Sequence, residues 1–172
     1  ATQAKILTQK AILDLKGPVY LRFGREPVPD FTSENQEIEI GKGQLLKTGN
    51  ALTIFATGHM VWEALQAATT LEKKGISVRV INLHTIKPID KEMIITAAQE
   101  TGAIVTAEEH QVFGGFGSAI AEVLAQHFPV PVEMVAMPDC FGESGQPAEL
   151  MQKYHLNSEG IVEKSLLVLK RK

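Results

Sequence analysis

The residues of this chain that could do chemistry gather in two short stretches. In Thr106 to Leu124, TAEEHQVFGGFGSAIAEVL, two carboxylates, a histidine and three glycines lead into a helical pattern. Glu108 and Glu109 are adjacent at a strand end, so their side chains point to opposite faces. They cannot serve as an acid/base pair on one bond. His110 is of the type that titrates near neutrality, but no Ser, Cys or Asp stands at a spacing that would make a nucleophilic triad with it. Gly115-Phe116-Gly117 begins a dinucleotide fingerprint whose third glycine would fall at Ile120. No acidic residue follows about 20 positions on, at a strand end, to take a ribose. The glycines fit a tight strand-to-helix turn with close packing and a contact surface at the carboxyl end of a sheet. A helix N-terminus here could also hold an anion.

The second stretch is YLRFGREP. Arg22 and Arg25 follow a strand-like run, beside a bend with Gly24 and Pro27. Two guanidinium groups can grip a phosphate bidentately, or they can pair with Glu26, Asp30 or Glu34. His59 and His84 each stand just after a strand, at the edge where open α/β sheets bind ligands. They are 25 residues apart with no third ligand at metal spacing, which argues against a metal site. Trp62 reads as packing or interface. Cys140, the single cysteine, excludes an internal disulfide and reads as a small buried filler.

The elements that position these residues follow from periodicity. Ala4, Leu7 and Ala11, with Ile6, Ile12 and Leu15, give a first helix, stopped by Lys16, Gly17 and Pro18. VYLRF (Val19 to Phe23) reads as a strand. GREPVPDFTSENQEIEIGKG is proline-bearing and polar, and reads as a linker longer than most loops of a compact domain, with a domain boundary near Pro29 to Glu37. Then comes a regular alternation: a short strand at Gln44–Lys47, strand Leu52–Thr57, helix 59–74 (Val61, Ala64, Leu65, Ala68 and Leu71 on one face), and strand Ser77–Leu83. A helix capped by Asp90 and ended by Gly102 precedes strand AIVTAE, helix 117–127 and strand PVEMVAM. Pro147 opens a short helix. Asn157 or Ser158 caps a last one carrying Ile161, Val162, Leu166 and Leu169. Such alternation implies βαβ units, hence an α/β fold with an open, parallel sheet and helices on both faces.

With 172 residues, the chain suits one domain and a short extra segment. A hydrophobic share of 44%, a charged share of 22% and a net charge of −3 are ordinary for a globular protein and give no basic block. The expected partners therefore include no nucleic acid and no membrane. No leader-like apolar run opens the chain and a lone cysteine fits a reducing compartment, so the expected localisation is cytoplasmic.

GPVYLRFGREPVP, ATGHMVWEALQAATTLEKKGISVRVINLHTIKPID, GAIVTAEEHQVFGGFGSAIAEVL and SGQPAELMQKYHL together resemble the carboxy-terminal third of a transketolase, in order and over nearly the whole chain. IKPID is shared with related thiamine enzymes. The combination with SGQPAELMQKY favours transketolase over deoxyxylulose-phosphate synthase or the pyruvate dehydrogenase β subunit, and is similar to the animal and the split, two-subunit prokaryotic forms. The resemblance implies that residues 1–28 are the last helix and strand of a pyrimidine-binding domain, 29–37 a linker, and 38–172 the carboxy-terminal domain, mostly parallel with one antiparallel edge strand. It implies transfer of a two-carbon ketol unit between sugar phosphates on thiamine diphosphate with Mg²⁺, in the pentose phosphate pathway. Cofactor, metal and the activating glutamate would be held by parts upstream of Ala1, so the isolated chain is expected to be inactive. Its partners would be the remaining transketolase domains or a separate N-terminal subunit, in a homodimer. One substrate contact maps here: Arg25 matches the arginine that binds the sugar phosphate, with Arg22 a weaker second. The family has Ser or Thr where this chain has Gly24. No catalytic role falls on Glu108, Glu109 or His110. The contrasting reading is a free-standing binding module that uses the edge formed by His59, His84 and Glu109 to Gly117.

Overall fold

The computed structural model describes residues 2–32 and 37–172. Its elements are α1 (Thr2–Leu13), β1 (Gln44–Lys47), β2 (Leu52–Ala56), α2 (Met60–Glu72), β3 (Val78–Asn82), α3 (Lys91–Thr101), β4 (Ile104–Gln111), α4 (Phe116–His127), β5 (Val132–Met137), α5 (Pro147–Lys153) and α6 (Ser158–Leu169).

The strands form one five-stranded sheet in the order β1-β3-β2-β4-β5. β1 pairs antiparallel with β3, and every other pairing is parallel. This is the mostly parallel α/β sheet with an antiparallel edge strand expected above. The continuous apolar runs have a physical cause. All five residues of β2 are buried, as a central strand covered by helices on both sides requires. Successive side chains alternate between two cores. Leu52, Ile54 and Ala56 join Val78, Val80, Val105 and Ala107 under α2 and α6. Phe55 points the other way, joining Ile81, Ile104 and the inward faces of α3 and α4. Each fully buried Leu, Ile or Phe contributes about 1.5–3 kcal/mol of transfer free energy.

The helix punctuation is local chemistry. Asp90 Oδ1 accepts from Met93 N at 3.1 Å while its Oδ2 accepts from Gly43 N at 2.9 Å. One carboxylate thus caps α3 and ties down the approach to β1. Gly102 ends α3 in the left-handed conformation, φ 64°. Asn157 caps α6 through Gly160 N at 2.9 Å.

Three expectations are corrected. Val19 to Phe23 runs without a ladder. A strand exists only with a neighbour to pair with, and none lies beside this segment among the described residues. The helix α1 stops at Leu13, and of its apolar residues only Ala11 is buried. Ile12 and Leu15, read as part of its stripe, are exposed. Cys140 is exposed rather than buried, because it stands in the loop after β5, outside both cores. Of the expected linker, residues 33–36 lie outside the described residues, as does Glu34 as an arginine partner. Trp62 is indeed a packing residue, stacked on Phe31 with ring centroids 6.1 Å apart.

Candidate functional site at the carboxyl edge of the sheet

The topology picks out one edge. From β2 the chain goes through α2 to β3 on one side, and from β3 through α3 it crosses over β2 to β4 on the other. The loops after β2 and β4 therefore part at the topological switch point, where open α/β sheets form their ligand crevice. The loop after β2 carries Gly58 and His59. The end of β4 carries Glu108, Glu109 and His110.

Glu108 is fully buried on the α4 side of the sheet. Its carboxylate accepts from Phe116 N at 2.6 Å and Gly117 N at 2.7 Å. The anion seat at the α4 N-terminus, open to a ligand on sequence grounds, is thus filled by the chain's own carboxylate. Negative charge is favoured there by the helix dipole and the unpaired N–H groups. Gly115 and Gly117 make this packing possible. A Cβ at Gly115 would meet Gln111 O at 2.2 Å and Glu108 Oε2 at 2.6 Å, and one at Gly117 would meet Thr106 Oγ1 at 2.5 Å. This role was missed from sequence, although a carboxylate eight residues before Phe116 with glycines at the turn was the available signal.

Glu109 points to the other face, as the alternation of a strand demands. Its Oε2 lies 3.4 Å from His59 Nδ1, at the start of α2, and its Oε1 lies 3.8 Å from Arg22 Nη2. Arg22 Nη1 also lies 2.6 Å from His110 Nε2. A guanidinium only donates, so Nε2 accepts and the ring proton sits on Nδ1, which faces Glu108 Oε2 at 3.3 Å. Arg22 is thereby hydrogen-bonded to His110 and within ion-pair range of Glu109, while the His110 ring stands beside Glu108.

The segment around Arg22 lies against His59 itself. A Cβ built on Gly24 would come 2.2 Å from His59 Nε2 and 2.6 Å from Cε1. The imidazole occupies the space a side chain at position 24 would need. Arg25, next in the chain, has a side chain 90% exposed and is paired with Glu26, Oε1 at 3.1 Å from Nη2. Asp30, the other arginine partner considered, instead accepts from Thr2 and Thr32. The structure therefore brings Arg22, His59, Glu109 and His110 together, with Arg25 at the rim. His84 takes different company. It faces Thr85 Oγ1 at 2.9 Å and lines a cleft with Ile6, Lys10 and Gln44. Burial pushes its pKa below the usual 6.5.

A bound diphosphate with a divalent cation needs an open anion seat and carboxylate or carbonyl oxygens around the metal. Here the helix seat is taken by Glu108, and among the described residues no three His, Cys, Asp or Glu side chains converge as a metal site. These residues do not by themselves fit such a group. No helix among the described residues is long and apolar enough to cross a membrane.

Fold and edge together define an α/β domain with a polar rim at the carboxyl edge of its sheet. The chain belongs to the transketolase carboxy-terminal domain family, whose model, "Transketolase, C-terminal domain", matches residues 41–161. It is 47% identical over 161 residues to the 6-deoxy-6-sulfo-D-fructose transketolase subunit of Clostridium sp., covering 94% of this chain and 50% of that protein. It is 42% identical to one subunit of the apulose-4-phosphate transketolase of Phocaeicola vulgatus, covering 94% and 52%. A 1-deoxy-D-xylulose-5-phosphate synthase of Geobacter sulfurreducens is 41% identical, with 88% of this chain but 24% of that protein covered. A solved structure described as "Split gene transketolase, inactive beta4 tetramer" superposes with a TM-score of 0.95 at 44% identity, over 99% of this chain and 56% of that one. The chain thus spans about half the length of the curated transketolase subunits it matches.

Proposed function

We propose that this chain is the carboxy-terminal part of a thiamine-diphosphate-dependent transketolase that moves a two-carbon ketol unit between sugar phosphates in the cytoplasm. The observation that carries the reading is the match over 94% of the chain, at 47% identity, to half of a split-transketolase subunit. Its partners are the remaining transketolase domains or a separate N-terminal subunit, assembled as a homodimer of the whole enzyme. Thiamine diphosphate and Mg²⁺ are held by those parts, so residues 1–172 alone are inactive. Residues 1–28 end the preceding domain and 38–172 form the carboxy-terminal one. The exposed Ile12 and Leu13 of α1, and the exposed Tyr20 and Phe23 in a segment with no ladder, support this division, since uncovered apolar residues suit a core and a sheet completed by other chain.

Within the enzyme the chain's own task is to bind and orient. Arg25 takes the substrate phosphate, its solvent-facing guanidinium exchanging the exposed Glu26 pair for a dianion. That exchange is favourable because exposed ion pairs contribute only about 0–1 kcal/mol, against about 1.5–3 kcal/mol for a charge-assisted contact in a closed site. The test is Arg25→Ala in the complete enzyme. KM for a phosphorylated acceptor rises about 10- to 100-fold while an unphosphorylated acceptor is nearly indifferent. Equal loss of kcat/KM for both acceptors refutes the phosphate contact.

A further inference from the structure

We infer that Glu109 and His59 are positioning residues for the phosphate contact, holding the loop of Arg22 to Arg25 on the sheet edge and setting where Arg25 points. The inference rests on the assignment of Arg25 above. Arg25 is anchored by nothing on the sheet, so its placement is that of its loop. That loop touches the sheet edge through Arg22 on His110 at 2.6 Å, through Arg22 beside Glu109, and through Gly24 against His59, and Glu109 serves the last two. It lies 3.8 Å from Arg22 Nη2 and 3.4 Å from His59 Nδ1, whose far nitrogen is the wall against Gly24. His59 and Glu109 are largely covered, with side chains 24% and 21% exposed, whereas Arg22 is half-exposed, so the carboxylate's hold on the ring is screened less than its hold on the guanidinium. A carboxylate beside one ring nitrogen favours one orientation of the imidazole, and with it one place for the far edge.

Gly24 is the second half of the device. Its lack of a Cβ lets the imidazole close onto the backbone, one residue from Arg25. A serine or threonine at 24 would collide with His59 as the ring stands, because a Cβ there falls 2.2 Å from Nε2. His59 and position 24 are therefore read as an exchangeable pair that together fill one volume, 35 residues apart in sequence.

The test uses the complete enzyme, the full polypeptide with its partner half, and compares phosphorylated with unphosphorylated acceptors. Gly24→Ser raises KM for the phosphorylated acceptor about tenfold with kcat within about twofold. The double variant Gly24→Ser/His59→Ala recovers most of that loss, because the colliding ring is gone. Glu109→Gln, which keeps shape and loses charge, raises the same KM about 3- to 10-fold. The unphosphorylated acceptor changes little throughout. The inference is overturned if Gly24→Ser and Glu109→Gln affect both acceptors alike, or if the double variant is no better than Gly24→Ser. Arg25→Ala run alongside separates the two readings. If it is phosphate-selective and the others are not, the positioning role is wrong and the phosphate contact stands. If it is not selective, the phosphate contact is wrong and this inference falls with it.

Discussion

Replacing Glu108 with alanine should destabilise the domain by about 2–4 kcal/mol, a large share of the roughly 5–15 kcal/mol typical of a native protein. The carboxylate accepts two backbone bonds, at 2.6 and 2.7 Å, and hydrogen bonds to a charged group contribute about 1.5–3 kcal/mol each. Their loss leaves the N–H groups of Phe116 and Gly117, both in buried residues, without partners, at about 1–3 kcal/mol apiece. Freedom from burying the carboxylate offsets part of this sum, and water entering the vacated space offsets more. Glu108→Gln should recover less than half, because its amide NH₂ must face one of the two N–H donors. The neighbouring Glu109→Ala is the control, expected to cost under about 1 kcal/mol, since its partners keep access to water. Urea denaturation measures the totals, and hydrogen exchange localises them. In Glu108→Ala the amides of Phe116 and Gly117 should lose protection ahead of those in α2. If Glu108→Ala costs no more than Glu109→Ala, or if those amides stay protected, the capping account is wrong.

Two titrations give further checks. His84 is held below its ordinary 6.5 by burial, so as pH falls through 6.5 the unfolded chain takes up a proton before the folded one. Stability from this group is therefore full above 6.5 and lost as pH falls from there toward the folded pKa. His84→Gln should flatten the fall in urea midpoint as pH drops below 6.5, and an unchanged slope there removes His84 as its source. Tyr154 OH donates to Glu143 Oε1 at 2.6 Å, and that bond, first among the causes, pushes its pKa up to about 12. In Tyr20→Phe, which leaves Tyr154 as the remaining tyrosine, ultraviolet titration should find that midpoint, and Glu143→Gln should lower it. A midpoint near 10 in the unmodified background rejects the bond.

The sheet and its helices were legible because their causes are local. Runs such as LTIFA lack polar interruption because both faces are covered. Asp90 and Asn157 announce helix starts, and Gly102 a helix end, by hydrogen-bond chemistry that needs no distant partner. The front of the chain was misread for the opposite reason. Val19 to Phe23 has strand composition, but a ladder is a property of two segments, and no described residue supplies the second. The burial of Ile12 and Leu15 likewise depends on what lies against them. Cys140 was misplaced because average burial of a residue type says nothing of a loop that leaves the core. The packing of Gly24 on His59 carries no sequence signal at all, being a contact between separate segments with no shared periodicity.

The two consecutive glutamates show how closely the site depends on strand register. Along β4 the side chains at 104, 106 and 108 face α3 and α4, while those at 105, 107 and 109 face α2. Glu108 can therefore serve the N-terminus of α4 and Glu109 the residue that starts α2, though they are adjacent in the chain. The period of two means that a slip of one residue would exchange their faces. It would put Glu109 under the glycine turn and leave Arg22 and His59 without their carboxylate. Register in this strand is pinned by Ile104, Val105 and Ala107, all fully buried. The apolar core thus sets the position of the polar edge, and the two glutamates, neither given a catalytic role by the family resemblance, have different tasks there. Glu108 is scaffold, buried and internally satisfied. Glu109 is the point at which the scaffold reaches the loop that carries Arg25.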